Sequence, residues 1–179
     1  MAEKMTRRAF IKGTAAVAAA VSMSGILAGC GGGQAQDEVK LGAYTVKLYS
    51  ANTHATEQGT GGSSYTVTAK ADITFDKNAG GTLQELPCAG MFAGKIDETG
   101  LTTTKPTGRI TMSNFIGLNL FMSKATVDVE MSVPTKADYE KIAAGTPVEV
   151  TVTINNIAGK LYIVQKEKQF FVTNAAPQA

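Results

Sequence analysis

The chain has 179 residues, with 17 basic and 15 acidic side chains and a formal net charge of +2, and this length is typical of one domain of ordinary size. The positive charge belongs to the start of the chain, because four basic residues and one acidic residue precede Cys30 and leave 13 basic and 14 acidic residues from Cys30 onward. That later part holds one arginine, Arg109. The composition therefore argues against nucleic-acid binding, which needs a basic surface, and against phosphate recognition by several guanidinium groups.

The first 29 residues have the parts of an export signal: a basic start, an alanine-rich apolar middle from residue 13 to 29, and an end of small residues. The basic start reads TRRAFIK from Thr6 to Lys12. These residues resemble the twin-arginine export signal, whose paired arginines, here Arg7 and Arg8, are read by a transport receptor. The resemblance implies that residues 1–29 are a signal peptide that is removed.

The apolar segment ends in LAGC, from Leu27 to Cys30. This tetrapeptide resembles the lipobox of bacterial lipoproteins, which implies that the Cys30 thiol receives diacylglycerol, that the preceding bond is cleaved, and that Cys30 becomes an acylated N-terminus. Two or three acyl chains, such as palmitate, anchor a domain stably, because each buried methylene contributes about 0.8 kcal/mol. We therefore expect a lipid-anchored protein at the cell membrane, outside the cytoplasm, with the bilayer as a partner. The alternative is an ordinary secretory signal that happens to contain a cysteine.

Residues 30–38 read CGGGQAQDE. Three glycines followed by polar residues cannot offset the cost of their ordering by burial, so this segment is predicted to be a flexible tether between lipid and domain. A phosphate-binding loop would need a following helix and a Lys–Ser or Lys–Thr pair, and the sequence shows neither.

Residues 39–173 are predicted to form a single β-domain, followed by a disordered tail at 174–179. Apolar and polar residues alternate in three clear stretches, 65–75, 125–133 and 148–154. Such alternation places one face of a strand in the core and the other in water, as is common in antiparallel sheets. Weaker strand candidates are residues 39–50, 82–86, 90–96, 109–113 and 118–123, together with a hairpin at 154–164 with turn chemistry from Asn155, Asn156 and Gly159 and a second turn before residues 170–172.

These elements predict an all-β fold, an antiparallel β-sandwich or small barrel with one short helix near 135–144. The helix is indicated by Thr135 as N-cap, Asp138 three residues later and Gly145 as a C-terminal stop. Residues 41–51 and 71–83 resemble the opening hairpin of small lipocalin-like lipoproteins, and an immunoglobulin-like sandwich fits the periodicity as well.

Few residues of the β-domain carry reactive side chains. His54 is the only histidine, and Cys88 is the only cysteine after Cys30. These counts exclude a c-type haem motif, an iron–sulfur cluster and a blue-copper site. His54, Cys88 and Met91 could together form a sparse set of Cu(I) ligands. The simpler interpretation is that Cys88 and Met91 are core residues and that His54 is a solvated loop histidine. We assign no catalytic, metal-binding or cofactor-binding residue and expect no cofactor.

A hydrolase built on His54 would require a nucleophile and a carboxylate beside it. The possible partners in the sequence are Ser50, Ser63, Ser64, Cys88 and Glu57. No nucleophile-elbow motif and no cysteine-hydrolase sequence surrounds any of them. Asp128 and Glu130 are interpreted as polar residues on the solvent face of a strand.

Two functions of different class remain open. The first is a membrane-anchored lipoprotein of the cell envelope whose non-catalytic β-domain presents a binding surface to a protein, a glycan or a small ligand. The second is an envelope enzyme or a redox or metal accessory protein with a site around His54 and Cys88. The absence of metal and nucleophile motifs favours the first.

Overall fold

The computed structural model describes residues 37–58, 62–79, 83, 85–111 and 122–177. The signal peptide with Arg7 and Arg8, the lipidation site Cys30 and the tether up to residue 36 lie outside the described residues. So do parts of the strand candidates at 82–86 and 109–113, and residues 118–121 of the candidate at 118–123.

The described chain consists mainly of β-strands. The strands are β1 (Glu38–Leu41), β2 (Tyr44–Gln58), β3 (Gly62–Asp76), β4 (Leu86–Pro87), β5 (Phe92–Ile96), β6 (Thr99–Lys105), β7 (Arg109–Ile110), β8 (Met122–Val133), β9 (Val148–Ile154), β10 (Ile157–Lys166) and β11 (Gln169–Thr173). A 3₁₀ turn (Lys77–Ala79) follows β3, and helix α1 (Lys136–Ala143) joins β8 to β9.

Nine of these strands form one sheet in the order β1-β2-β3-β8-β6-β5-β9-β10-β11, and β4 pairs with β7 in a small second sheet. The pairs whose registers are known are antiparallel. The large sheet curls until its two ends meet, with β1 against β10 and β11 against β2. The result is a nearly closed, barrel-like antiparallel sheet, which confirms the predicted fold class.

The closure depends on a glycine. A Cβ atom on Gly159 of β10 would collide with a methyl group of Val39 and would lie 2.9 Å from a methyl carbon of Leu41, both in β1. Gly159 was expected to contribute to a turn. It lies instead inside a strand, where the missing side chain lets β1 approach.

The interior follows from the alternation in the sequence. Val67, Ala69, Ala71, Ile73 and Phe75 of β3 are all buried, and the polar residues between them are exposed or half-buried. The inward residues of β8 and β9 complete the same hydrophobic cluster; they are Val129, Met131, Val133, Val148, Val150, Val152 and Ile154. The predicted facing of these three strands is confirmed.

Helix α1 matches its prediction in position and in capping. Thr135 has extended backbone angles, and its hydroxyl oxygen accepts a hydrogen bond from the Asp138 amide at 3.1 Å. The chain leaves the helix through Gly145, whose φ of 104° suits a residue without a side chain. Tyr139 packs on Tyr65 of β3 with ring centroids 5.1 Å apart, which holds the helix against the sheet.

Several strand boundaries differ from the expectations. A turn at Gly42, with φ of 63°, divides the expected strand 39–50 into β1 and β2, and β2 then continues to Gln58. Strand β6 was not expected. It follows a tight turn at Asp97, where φ is 48°. The Asn155–Asn156 turn is confirmed, since both residues have the positive φ angles of a type I′ hairpin turn.

Candidate functional site

Two β-bulges lie on either side of one region of the large sheet. In β2 the register to β3 shifts between Tyr49 and Asn52, where Ser50 has a φ of 51°. In β6 the register to β8 shifts between Thr103 and Lys105. Strands β3 and β8 lie between β2 and β6, so the two bulges flank the same pair of central strands. Bulges are frequent beside functional sites because they redirect side chains, and a non-glycine residue at positive φ stores local strain.

An open depression of about 200 Å³ lies between the bulges. It is lined by Ser50, Thr68, Ala69, Lys70, Lys105, Asp128, Val129 and Glu130. Most of these residues are polar or charged, and no aromatic ring is among them. The depression therefore suits a ligand held by hydrogen bonds and charge rather than by stacking.

At one end of the depression, Glu130 is held by a hydrogen-bond network. Its two carboxylate oxygens accept hydrogen bonds from the hydroxyl of Thr104 at 2.9 Å and from Nζ of Lys105 at 3.1 Å. These two hydrogen bonds hold the pKa of Glu130 below its usual value, and the positive charge of Lys105 acts in the same direction. Glu130 is therefore an ionised, fixed carboxylate at neutral pH.

Beyond the lining of the depression, next to Lys70 on the outward face of β3, the carboxylate of Asp72 is held in a similar way. Its oxygens lie 2.6 Å from Nζ of Lys124, 2.7 Å from the hydroxyl of Thr126 and 3.1 Å from the hydroxyl of Tyr49. Partial burial acts to raise the pKa of Asp72, but these hydrogen bonds together bring it below the usual value. This carboxylate is also fixed by its neighbours.

The row between these two networks is different. Lys70 on β3 lies directly opposite Asp128 on β8. On the outward face of these strands, the next pair on one side contains Glu130, and the next pair on the other side contains Asp72. Both residues are exposed. Among the described residues, neither side chain has an ion-pair partner within 4.0 Å. The depression thus holds one cation and one anion whose charges are not neutralised by close partners.

His54 lies beside this depression. The sequence predicted that it would lie in a loop, but it does not. It is an exposed residue on the extended part of β2, and its Nε2 atom is 3.3 Å from the hydroxyl oxygen of Thr68. The loop assignment is wrong because β2 and β3 remain paired beyond the bulge as a long hairpin arm. The expected solvent exposure of His54 is confirmed.

Cys88 and Met91 belong to the hydrophobic core, with exposed fractions of 4% and 2%. Burial raises the pKa of the Cys88 thiol. In the described part of the chain, no hydrogen bond or ion pair connects Cys88 with His54, and no group of three or more His, Cys, Asp or Glu side chains is arranged to hold a metal ion.

The remaining hydrolase candidates lie on β2 and β3. Ser63 and Ser64 are exposed near the start of β3, and Ser50 lies in the bulge of β2. Asp128 and Glu130 face outward as expected, but the sequence did not reveal that they share a depression with Lys70 and Lys105. That arrangement depends on the pairing of β3 with β8 and on two bulges, for which the sequence has no local signal.

Comparison with known protein families identifies the start of the chain. Residues 4–24 match the TAT (twin-arginine translocation) pathway signal sequence. The protein is exported. This match confirms the export signal around Arg7 and Arg8 and implies transport across the cytoplasmic membrane. No curated protein and no solved structure is significantly similar to the chain. No helix in the residues that the structure describes is both long and apolar enough to span a bilayer.

Proposed function

We propose that this exported protein is a lipoprotein, anchored at the cell membrane through acylated Cys30, and that its β-domain binds a small polar ligand in the depression between β2 and β6. One observation carries the binding role. Within the part of the chain that the structure describes, Lys70 and Asp128 have no ion-pair partner within 4.0 Å, whereas the carboxylates on either side of them, Glu130 and Asp72, are fixed by neighbours. The anchoring role is supported by the LAGC sequence that follows the export signal.

The lipid anchor has a direct test. The export signal matches up to residue 24, and the cysteine lies six residues later, at the end of the apolar segment. We expect mass spectrometry of the mature protein to find Cys30 as an acylated N-terminus. Changing Cys30 to Ala should leave the protein unprocessed or released from the membrane. An unmodified cysteine, or a mature chain that starts at another residue, would contradict the anchor.

Export itself can be tested separately from lipidation. Replacing Arg7 and Arg8 together by Lys keeps the charge but removes the guanidinium pair that the receptor reads. We expect the amount of protein outside the cytoplasm to fall strongly. An unchanged amount would show that another export route is used.

The ligand class follows from the two unpaired charges. Opposite residues on neighbouring antiparallel strands have their Cβ atoms about 5 Å apart, so the Lys70 ammonium and the Asp128 carboxylate present both signs of charge within a small area. A ligand that itself carries both signs, such as an amino acid or a short peptide, can satisfy both groups at once. Glu130 and Thr68 border the same space and offer further hydrogen bonds.

The experiment uses the Cys30→Ala protein, which carries no acyl chains, and nuclear magnetic resonance of its backbone amides. Diglycine serves as the zwitterionic probe, and diglycine blocked at both ends serves as the uncharged control probe. We expect diglycine alone to shift the amide signals of residues 68–70 and 128–130. Lys70→Ala and Asp128→Ala should each remove the effect.

The matched control is Lys40→Ala, which removes another exposed strand lysine, on β1. It should bind diglycine as the parent protein does. Equal shifts with both probes, or shifts outside the depression, would contradict a site that recognises paired charges.

A further inference from the structure

The outer face of the β10–β11 hairpin exposes an apolar side chain. Phe171 is 48% exposed, and it is one of two large apolar residues that are exposed in the described chain, the other being Ile157 at 46%. Its neighbour Val172 points into the core cluster, so Phe171 points outward. Directly opposite on β10 lies Val164, which is 8% exposed but does not belong to the core cluster. Phe171 therefore forms a small apolar patch on the outside of the sheet, and its cross-strand partner Val164 is buried.

Basic residues lie at the end of this patch. The hairpin turns at Glu167 and Lys168, and Lys166 lies across from Gln169 on the last pair of the ladder. Lys166 and Lys168 are both exposed, and Glu167 is the one acidic residue of the turn. An outward aromatic ring beside exposed lysines is the combination that peripheral membrane surfaces use: the ring enters the interface, and the ammonium groups meet anionic headgroups.

The patch is also close to the point where the chain enters the domain. The side-chain amide of Asn174 donates a hydrogen bond to the backbone oxygen of Glu38 at 3.2 Å. Phe171 precedes Asn174 by three residues of extended chain, which is at most about 10 Å. Cys30 precedes Asp37 by seven residues, and seven residues span at most about 25 Å. A lipid anchor at Cys30 therefore allows the patch to reach the bilayer.

We propose that the outer face of the β10–β11 hairpin, with the exposed side chains of Phe171, Lys166 and Lys168, is a membrane-contact surface. Phe171 inserts into the interface of the bilayer that holds Cys30, and the two lysines contact anionic headgroups. This inference rests on the proposed lipid anchor. It adds that the tethered domain does not rotate freely but rests on the membrane with one defined face.

The natural chain contains no tryptophan, so a single tryptophan reports on its own surroundings. Phe171→Trp keeps an aromatic ring at the patch, and Ile157→Trp places the same reporter at the other exposed apolar position, about 23 Å away along β10. Both proteins are purified in the mature acylated form and reconstituted into vesicles of neutral lipid containing an anionic lipid. Emission wavelength and quenching by brominated lipids are measured.

We expect the emission of the Phe171→Trp protein to move to shorter wavelength and to be quenched by brominated lipid, and that of the Ile157→Trp protein to do neither. Adding Lys166→Gln and Lys168→Gln should reduce the shift in anionic vesicles. Emission from the Phe171→Trp protein that stays at the wavelength of water would overturn the inference. A shift without vesicles that grows with protein concentration would also overturn it, because the patch would then bind a second copy of the chain.

Failure of this inference and failure of the lipid anchor give different results. Mass spectrometry of the same reconstituted sample shows whether Cys30 is acylated. An acylated protein with a water-exposed tryptophan at residue 171 contradicts the contact surface alone. A protein without acyl chains contradicts the anchor from which the surface was inferred.

Discussion

The approach of β1 to β10 can be tested by a single methyl group. In Gly159→Ala, the new Cβ would collide with a methyl group of Val39 and press on Leu41. Val39 is β-branched and has little freedom to turn away, so β1 must move. Overpacking of this kind costs about 1–3 kcal/mol. Replacing Gly by Ala recovers about 0.4–1 kcal/mol through the lower entropy of the unfolded chain. We expect a net loss of about 1–2 kcal/mol.

The assay is thermal and urea unfolding of the Cys30→Ala protein with and without the substitution. For a domain of this size, a loss of about 1–2 kcal/mol lowers the melting temperature by about 3–8 °C. Gly100→Ala is the matched control, because Gly100 also lies in a strand and a Cβ there meets no atom within 4 Å. It should change stability by less than about 0.5 kcal/mol.

A rescue variant makes the test sharper. Val39→Ala removes the methyl groups that the new Cβ at position 159 would strike, so it should cost less in the Gly159→Ala protein than in the parent protein. A double-mutant cycle measures this coupling. Equal stability of Gly159→Ala and Gly100→Ala, or the absence of coupling to Val39, would refute the close packing of β1 on β10.

Three further predictions concern individual side chains. Val150→Asp places a carboxylate on the buried face of β9 and should destabilise the domain severely, whereas Thr151→Asp on the outward face should have a mild effect. Equal losses of stability in urea unfolding would mean that the assigned facing of the strand is wrong. The Cys88 thiol should react with Ellman's reagent only after denaturation, because it is buried and its pKa is raised; rapid labelling of the native protein would contradict this. The pKa of Asp72 is lower in the folded chain than in the unfolded chain. Its contribution to the stability of the domain is therefore present above the unfolded value of about 3.9 and is lost as the pH falls through the folded value. Asp72→Asn should therefore be less stable than the parent protein at pH 7, and the two should converge near pH 2; a constant difference in urea unfolding across this range would refute the assignment.

The sequence predicted the elements whose signals are local. Strands β3, β8 and β9 each have one face in the core, so their residues alternate, and helix α1 has its own cap at Thr135 and stop at Gly145. The outer part of β2 has no such signal. Residues 54–56 are all exposed, so neither face of the hairpin arm selects apolar side chains, and the sequence there resembles a loop.

The candidate site could not be predicted from sequence patterns, for a different reason. Lys70 and Asp128 are 58 residues apart and become neighbours only through the β3–β8 ladder. Strand β6 has three consecutive threonines and a glycine where an alternating strand would show polar and apolar residues in turn. Its pairing and its bulge are fixed by tertiary contacts, because β-propensity reflects packing against neighbouring strands more than the residue itself.

The strand order also determines when during synthesis this domain can fold. Tyr65 of β3 pairs with Val133 of β8, and Phe92 of β5 pairs with Val152 of β9. The centre of the sheet is therefore incomplete until most of the chain has left the ribosome, and such distant pairings form slowly. The export signal at residues 4–24 emerges long before the strands that complete the sheet. Twin-arginine export often serves proteins that fold before crossing, so we expect the domain to be complete in the cytoplasm before its transport begins.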